Sequence, residues 1–329
     1  MSSRNNEAFV PTFSVVVCTY NRADRVGRAI TSVLHQTLED FELIVVDDGS
    51  VDGTGRVVTA IDDPRLCYVY RENGGLSAAR NTGVASSSGQ YVTFLDDDDE
   101  VLPRWLEMMD GALAGDDAVV TCSAYAVHVQ GRVLETMSPE PLGPVYEDYR
   151  GLFLSGTFAL PRHAYDAIGG FAEGLQYCQH TELALRLLPY CRASNWPVRV
   201  IEEPLLRWEA RPLRERPAAA PEKVLLGMEY LLAHHHAQLS RSREALANCH
   251  AQAGVAAARL GRYPDARRQF ALGARAQPRN AKHWLRLGFA MVPPLGNRVW
   301  RSRGFRHAVV RGLRRAKQRR KRATLATRR

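Results

Sequence analysis

The sequence predicts an α/β protein: a mixed, mostly parallel sheet sandwiched by helices, followed by a small, repeat-like α-helical domain. Two observations carry that reading. Over the first hundred residues, short β-branched runs alternate with segments of helical period. Beyond the proline-rich, charged stretch Arg211 to Pro221, only the helical period remains. Strand and helix repeated in alternation give a parallel sheet covered on both faces, while an unbroken helical period needs helix-on-helix packing. The chain has 329 residues, 45% of them apolar, enough for two or three units with real cores.

The elements follow in order. Ser14 to Cys18 reads Ser-Val-Val-Val-Cys, as a strand buried on both faces should. Asp24 to Gln36 places Val26, Ala29, Ile30, Val33 and Leu34 at helical spacing. Phe41 to Val46 is a second strand, and Asp52-Gly-Thr opens a helix through Val57, Val58 and Ile61. Leu66 to Tyr70 is a third strand, Leu76 to Ala85 a third helix and Gln90 to Leu95 a fourth strand. A helix from Trp105 to Leu113 precedes strand-like pieces at Ala118 to Cys122 and Tyr125 to Leu134, with a turn at Gln130-Gly131. An extended segment, Leu152 to Leu160, leads into a helix from Arg162 to Ile168. Glu182 to Leu188 is helical, and Val198 to Ile201 is the last strand.

Six scattered cysteines, with no C-x-x-C pair, exclude a disulfide framework and a cysteine-based zinc site. No segment approaches the roughly 20 apolar residues of a membrane span, and Met1 to Pro11 lacks a signal-peptide core. The expected location is therefore cytoplasmic. The net charge of +9 is uneven. Arg298 to Arg329 holds 14 Lys and Arg and no acidic residue; without it, 30 basic residues face 35 acidic ones. Whatever the positive charge binds is a partner of the tail.

Polar residues collect where three strands end: Thr19-Tyr20-Asn21-Arg22, Asp47-Asp48-Gly49-Ser50 and Asp96-Asp97-Asp98-Asp99-Glu100. Each alone reads as a turn. Together they mark the carboxyl edge of a parallel sheet, where such folds bind ligands. Four adjacent carboxylates repel one another, and a divalent cation relieves them. Oxygen ligands suit Mg²⁺ or Mn²⁺, which also take substrate phosphate oxygens. Alternate side chains of an extended segment share a face, so Asp96 and Asp98 point together.

Four segments resemble, in order, the successive motifs of family 2 glycosyltransferases, inverting enzymes of the GT-A fold. They are Ser14-Val-Val-Val-Cys-Thr-Tyr-Asn-Arg22, Leu43-Ile-Val-Val-Asp-Asp-Gly-Ser50, Gly75-Leu-Ser-Ala-Ala-Arg-Asn-Thr-Gly83 and Phe94-Leu-Asp-Asp-Asp-Asp99. The resemblance implies a nucleotide-sugar donor, a UDP-sugar first, and a saccharide or lipid-linked acceptor in surface polysaccharide or glycolipid synthesis. Under it, Thr19, Tyr20, Asn21 and Arg22 lie along the nucleoside. Asp47 or Asp48 accepts from the base, and Arg80, with Asn81, approaches the diphosphate or sugar. Asp96 and Asp98 form the D-x-D pair, Asp98 as the direct metal ligand and Asp96 nearer the ribose, with Asp97 among the donor contacts.

On the acceptor side the pattern departs. Gly169-Gly170-Phe171 and Leu183-Ala-Leu-Arg186-Leu187 are present, but the two positions expected to read Glu-Asp are Gln179-His180. An inverting transfer needs a base for the acceptor hydroxyl. His180 is the first candidate, being able to accept a proton at neutral pH, and Glu182 is the second. If neither serves, the domain is a degenerate transferase acting as a binding scaffold. A nucleotidyltransferase is the weaker enzyme alternative, since Thr19 to Arg25 is not a glycine-rich phosphate loop.

After the linker, Gly254 to Ala274 with its small residues, Tyr263, Phe270 and closing Pro278 resembles a tetratricopeptide repeat, which implies a protein partner. His234-His-His236 reads as a helix surface, because neighbouring residues there point about 100° apart. The tail interleaves Trp300, Phe305 and Leu313 with arginines, a pattern that suits an anionic membrane surface at the inner face of the cell membrane. Nucleic acid is the competing and less favoured partner. The expected partition is a disordered 1–12 and a transferase domain 13–210, with a donor half 13–115 and an acceptor half 116–210. A linker 211–221, a helical region 222–292 and a basic tail 293–329 complete it.

Overall fold

The computed structural model describes residues 10–113, 120–129, 132–209, 219–293 and 300. The expected N-terminal disorder up to residue 9, the turn at Gln130-Gly131, most of the linker and the tail beyond Trp300 lie outside them. The chain divides into two compact units, 1–218 and 219–329.

The first unit opens with β1 (Phe13–Thr19), α1 (Val26–Leu34), β2 (Phe41–Asp47), α2 (Thr54–Thr59), β3 (Leu66–Tyr70), α3 (Leu76–Ala85) and β4 (Tyr91–Asp96). It continues through β5 (Glu100–Val101), α4 (Trp105–Leu113), β6 (Val120–Val129), β7 (Arg132–Met137), β8 (Glu140–Pro141), the 3-10 turn Pro144–Tyr146 and β9 (Arg150–Gly151). It closes with β10 (Phe158–Pro161), α5 (Arg162–Ala167), α6 (Gln179–Ala193) and β11 (Val198–Glu209). The main sheet runs in the order β3-β2-β1-β4-β10-β6-β11-β5, with β7 on β6. The pairs β1–β2, β2–β3, β1–β4 and β6–β11 are parallel, and β10 is antiparallel to both β4 and β6.

The continuous apolar runs are explained by burial on both faces. Val15, Val17, Leu43 and Val45 point to one core, against Val26, Ile30 and Val33 of α1 and Trp105 and Met109 of α4. Val16, Ile44, Val46 and Phe94 point to the other, against Ala79 and Val84 of α3, Tyr165 of α5 and Leu183 and Leu187 of α6. The period-2 alternation thus feeds two cores from one set of strands.

This topology places a switch point. From β1 the chain moves outward to β2 and β3, then returns across α3 to insert β4 on the other side of β1. The loops after β1 and β4 therefore part at the carboxyl edge and leave a crevice between them. Helix α3 lies close on the sheet because of Gly83, where a Cβ would come within 2.4 Å of Val16 Cγ1 and 3.1 Å of Val46 Cγ2.

The second unit comprises α7 (Pro221–His234), α8 (His236–Leu239), α9 (Arg243–Arg259), α10 (Tyr263–Ala276) and α11 (Ala281–Met291). Phe270 of α10 is fully buried over Gly254 of α9, where a Cβ would meet its ring at 2.6 Å. The adjacent small residues Ala253, Ala256 and Ala257 are buried as well. Among the described residues, no helix is long and apolar enough to cross a membrane.

Gly83→Ala is expected to destabilise the first unit by about 1–3 kcal/mol, the usual penalty for overpacking a tight contact. Urea denaturation reads this directly, and an unshifted midpoint would mean that α3 lifts from the sheet freely.

Candidate active site

The crevice floor is built from the end of β4. Cys18 of β1 is in register with Asp96, so the loops after the two strands begin side by side. Each carboxylate of the acidic run has a separate fate. Asp96 accepts from Arg80 Nη2 at 2.9 Å, and its side chain is 42% exposed. Asp97 turns inward and accepts from Thr19 Oγ1 at 2.8 Å, with Arg22 Nε 4.0 Å away. Asp99 is buried, and its backbone N–H closes a turn on Asp96 O. Asp98 is partly exposed and makes no hydrogen bond or ion pair among the described residues. The run is tolerated because its members do not share one environment.

The electrostatics separate them further. Burial by itself raises the Asp96 carboxyl, but the Arg80 guanidinium outweighs it and holds the group below the usual range. Burial pushes Asp97 up to about 6 in spite of its bond from Thr19. Arg80 is only 2% exposed, and its guanidinium lies over the Phe171 ring, 4.9 Å from the centroid. Its Nη2 donates to Ser155 Oγ at 2.7 Å as well as to Asp96, while the buried Nη1 has no partner. The guanidinium expected near a diphosphate is thus paired with Asp96 in the unliganded protein, as a buried charge requires.

His180, in the first turn of α6, reaches the same cluster. Its Nε2 lies 3.2 Å from Ser155 Oγ. Phe158 and Phe171 meet the ring edge-on, at centroid distances of 6.1 and 5.6 Å. Burial, and then the charge of Arg80, push its pKa down to about 3 against the pull of Asp96. Burial thus favours the neutral imidazole.

Glu182 is placed otherwise. It is 1% exposed and clamped by Arg186, at 2.7 Å to Oε1 and 2.5 Å to Oε2. One helical turn separates the two residues, so the pair forms along α6. Asn81 is likewise committed: its Oδ1 accepts from Tyr165 Oη and Phe171 N, and its Nδ2 donates to Phe171 O and Glu173. It ties α3 to the Gly170-Phe171 loop.

The nucleoside-side residues form the other wall. Tyr20 is 49% exposed on the rim. Asn21 adopts a left-handed φ of 52° and latches the first loop to the second: its N–H donates to Ser50 Oγ, and its Oδ1 accepts from Val51 N. Asp47 accepts from Ser50 N and from Tyr68 Oη, and Asp48 from Gly74 N and Gly75 N. Both are under 5% exposed. A base contact from either must share an oxygen that the fold already uses.

Ser155 was not legible as a site residue. Its only signal is a hydroxyl in the mostly apolar segment Leu152 to Leu160, followed by Gly156 at a φ of 76°. The three consecutive histidines have separate local partners, Tyr230 O for His234, Gln238 for His235 and Ser240 for His236, and gather no site.

Residues 14–175 match the profile of glycosyl transferase family 2. This segment is a family 2 glycosyltransferase domain. An uncharacterized glycosyltransferase of Rickettsia prowazekii is 29% identical over 53% of the chain and 58% of its own length. A succinoglycan biosynthesis protein of Rhizobium meliloti is 38% identical over 40% of the chain and 39% of its length. The matches thus span 58% and 39% of the lengths of these two relatives. A crystal structure of S. aureus TarS with UDP-GlcNAc superposes with a TM-score of 0.60, covering 87% of this chain and 89% of that one. At 19% identity, this likeness establishes the fold, GT-A, of the glycosyltransferase domain.

Glu182→Ala should destabilise the domain by about 1–3 kcal/mol, since it strips a half-buried arginine of its partner. Thermal unfolding of the variant checks this, and full retention of stability would return Glu182 to the list of crevice residues.

Proposed function

We propose that the domain transfers a sugar from a nucleotide-sugar, a UDP-sugar first among donors, to a saccharide or lipid-linked acceptor with inversion. One observation carries the reading. Asp96, kept ionised by buried Arg80, stands beside Asp98, which has no partner among the described residues, where the loops after β1 and β4 part. That is where an open α/β sheet takes its ligand.

The donor set fits Mg²⁺ or Mn²⁺. Among the described residues, no three His, Cys, Asp or Glu side chains gather to enclose an ion. Two carboxylates leave the remaining positions to phosphate oxygens and water, the arrangement these ions prefer. Asp98 and Asp96 would hold the ion, which supplies charge neutralisation on the leaving nucleoside diphosphate. Tyr20, Asn21 and Arg22, joined to the Asp47-Asp48 turn, line the nucleoside. Thr19 and Asp97 brace that wall, and Arg80 acts through Asp96 and through its charge.

On the acceptor side His180 takes the hydroxyl proton as the acceptor oxygen bonds the anomeric carbon. The carbon–oxygen bond to the diphosphate breaks, and its electron pair leaves with the nucleotide. A base of depressed pKa is weak, but it is free to accept at any physiological pH, and an incoming diphosphate opposes the Arg80 charge that depresses it. The enclosure of His180 between Phe158 and Phe171 favours a second reading, a donor-binding scaffold without turnover.

The relatives and the superposed structure support this assignment by kind. One is named for succinoglycan biosynthesis and the other was crystallised with UDP-GlcNAc. The helical unit, with Phe270 over Gly254, is proposed as a tetratricopeptide-like module for a protein partner. The basic segment 298–329 is proposed to dock on anionic membrane; liposome co-sedimentation unchanged by truncation after Asn297 would remove that role.

Calorimetry with UDP-GlcNAc and Mn²⁺ should show metal-dependent binding that Asp98→Ala abolishes. His180→Ala should keep that binding and lose most UDP release, about 100-fold or more for a missing general base. Normal release by His180→Ala would exclude it from the mechanism, and binding without release by the wild type would favour the scaffold.

A further inference from the structure

Arg80 and Asn81 are consecutive residues of α3, and both side chains end on one other residue, Phe171. The Arg80 guanidinium lies over the face of the Phe171 ring. The Asn81 amide holds the Phe171 backbone: Nδ2 donates to Phe171 O at 3.0 Å, and Oδ1 accepts from Phe171 N at 2.9 Å. Chemistry fixes the orientation of that amide, since a backbone N–H can only donate and a carbonyl can only accept. A side-chain amide offers two N–H donors and an oxygen with two lone pairs. The second donor goes to Glu173 Oε1 at 3.0 Å, and the second lone pair accepts from Tyr165 Oη at 2.6 Å. The whole hydrogen-bonding capacity of Asn81 is used inside the protein.

The approach depends on Gly170. Its φ is 64°, and a Cβ there would lie 2.8 Å from Asn81 Oδ1 and 3.0 Å from Tyr165 Cε1. A residue without a side chain lets the loop pass this close. With both polar groups of its backbone gripped, Phe171 has little freedom to turn. Its ring is 1% exposed and meets Phe94 edge-on at 5.1 Å and His180 at 5.6 Å. The constraints close a circuit: α3 to Asn81, Asn81 to Phe171, the Phe171 ring to the Arg80 guanidinium, and Arg80 back to α3. Cation and ring are thus placed from the same stretch of helix, and the imidazole borders the same ring.

We propose that Asn81 is a positioning residue: by gripping the backbone of Phe171, it holds the ring that carries Arg80 and borders His180. A diphosphate contact from Asn81 would have to take an N–H already given to Phe171 or Glu173. The use of this clamp rests on the glycosyltransferase reading, since Arg80 and His180 act together only if donor and acceptor meet there. The clamp itself is a property of the unliganded protein.

The test begins without ligand, with ¹H–¹⁵N spectra of the arginine side chains in the full chain. Arg80 is assigned by the signals lost in Arg80→Lys. A guanidinium over a ring face is shifted upfield by the ring current, so the wild-type Arg80 signals should stand apart from those of exposed arginines. Asn81→Ala should move them toward the exposed arginines, and Phe171→Leu should remove the displacement. If the alanine variant does not fold, Asn81→Asp, which keeps the shape but loses both N–H donors, should give the same movement. Wild-type signals without an upfield displacement, or signals unmoved in a folded Asn81 variant, would overturn the proposal. A double-mutant cycle on UDP-GlcNAc binding with Mn²⁺ and on UDP release gives the second readout, because a residue that acts through Phe171 adds nothing once the ring is gone. Asn81→Ala should slow UDP release about 10- to 100-fold in the wild type, as misplacement of a reacting group does, and leave it unchanged in Phe171→Leu. Equal loss of donor affinity in both backgrounds would mark a direct diphosphate contact and would also overturn it. A wild type that neither binds UDP-GlcNAc nor releases UDP would remove the transferase reading, and the ligand-free spectra would still decide the clamp.

Discussion

The site is organised around one buried charge. Arg80 is 2% exposed, and a guanidinium removed from water must find its partners inside the protein. It takes Asp96 at the end of β4 and Ser155 in the loop before β10, and its flat face rests on Phe171. Three segments distant in sequence are thereby held at one point. The ionisation of Asp96 and the position of the Ser155 hydroxyl follow from it, and its charge adds to the burial that lowers the basicity of His180.

The same logic explains how four consecutive aspartates survive in a folded chain. Mutual repulsion is divided rather than opposed in one place. Asp96 is paired with Arg80, Asp97 is folded inward onto Thr19, and Asp99 is buried in a turn. Only Asp98 is left partly exposed without a partner among the described residues. The crevice thus leaves Asp98 partly exposed beside Asp96, whose charge Arg80 secures.

Several candidate residues from the sequence have polar atoms already engaged within the fold. Asn81 bridges α3 to Phe171, and Glu182 is clamped to Arg186. Asp47 and Asp48 hold the turns that shape the wall. A motif reports that a residue type is needed at a position, but not whether its polar atoms point to the ligand or back into the scaffold. That choice depends on partners far along the chain, such as Tyr165 for Asn81 and Tyr68 for Asp47.

Apart from the two-residue β5, the order of strands and helices through α4 was legible because it depends on local period: β-branched runs buried on both faces, and helices with one apolar stripe. The carboxyl-edge clusters were legible for the same reason, since each follows its strand directly. The second half was less so. The antiparallel placement of β10 between β4 and β6, and the extension of β11 to Glu209, rest on pairings between segments scores of residues apart. Ser155 belongs with these. By itself it is a hydroxyl in an apolar stretch; its meaning comes from Arg80 and His180, 75 and 25 residues away. The sequence alone determined the fold class and the acidic edge of the crevice, because both are written in neighbouring residues. The tertiary structure decided which polar side chains face that crevice and which brace it, because hydrogen-bond partners are chosen in space.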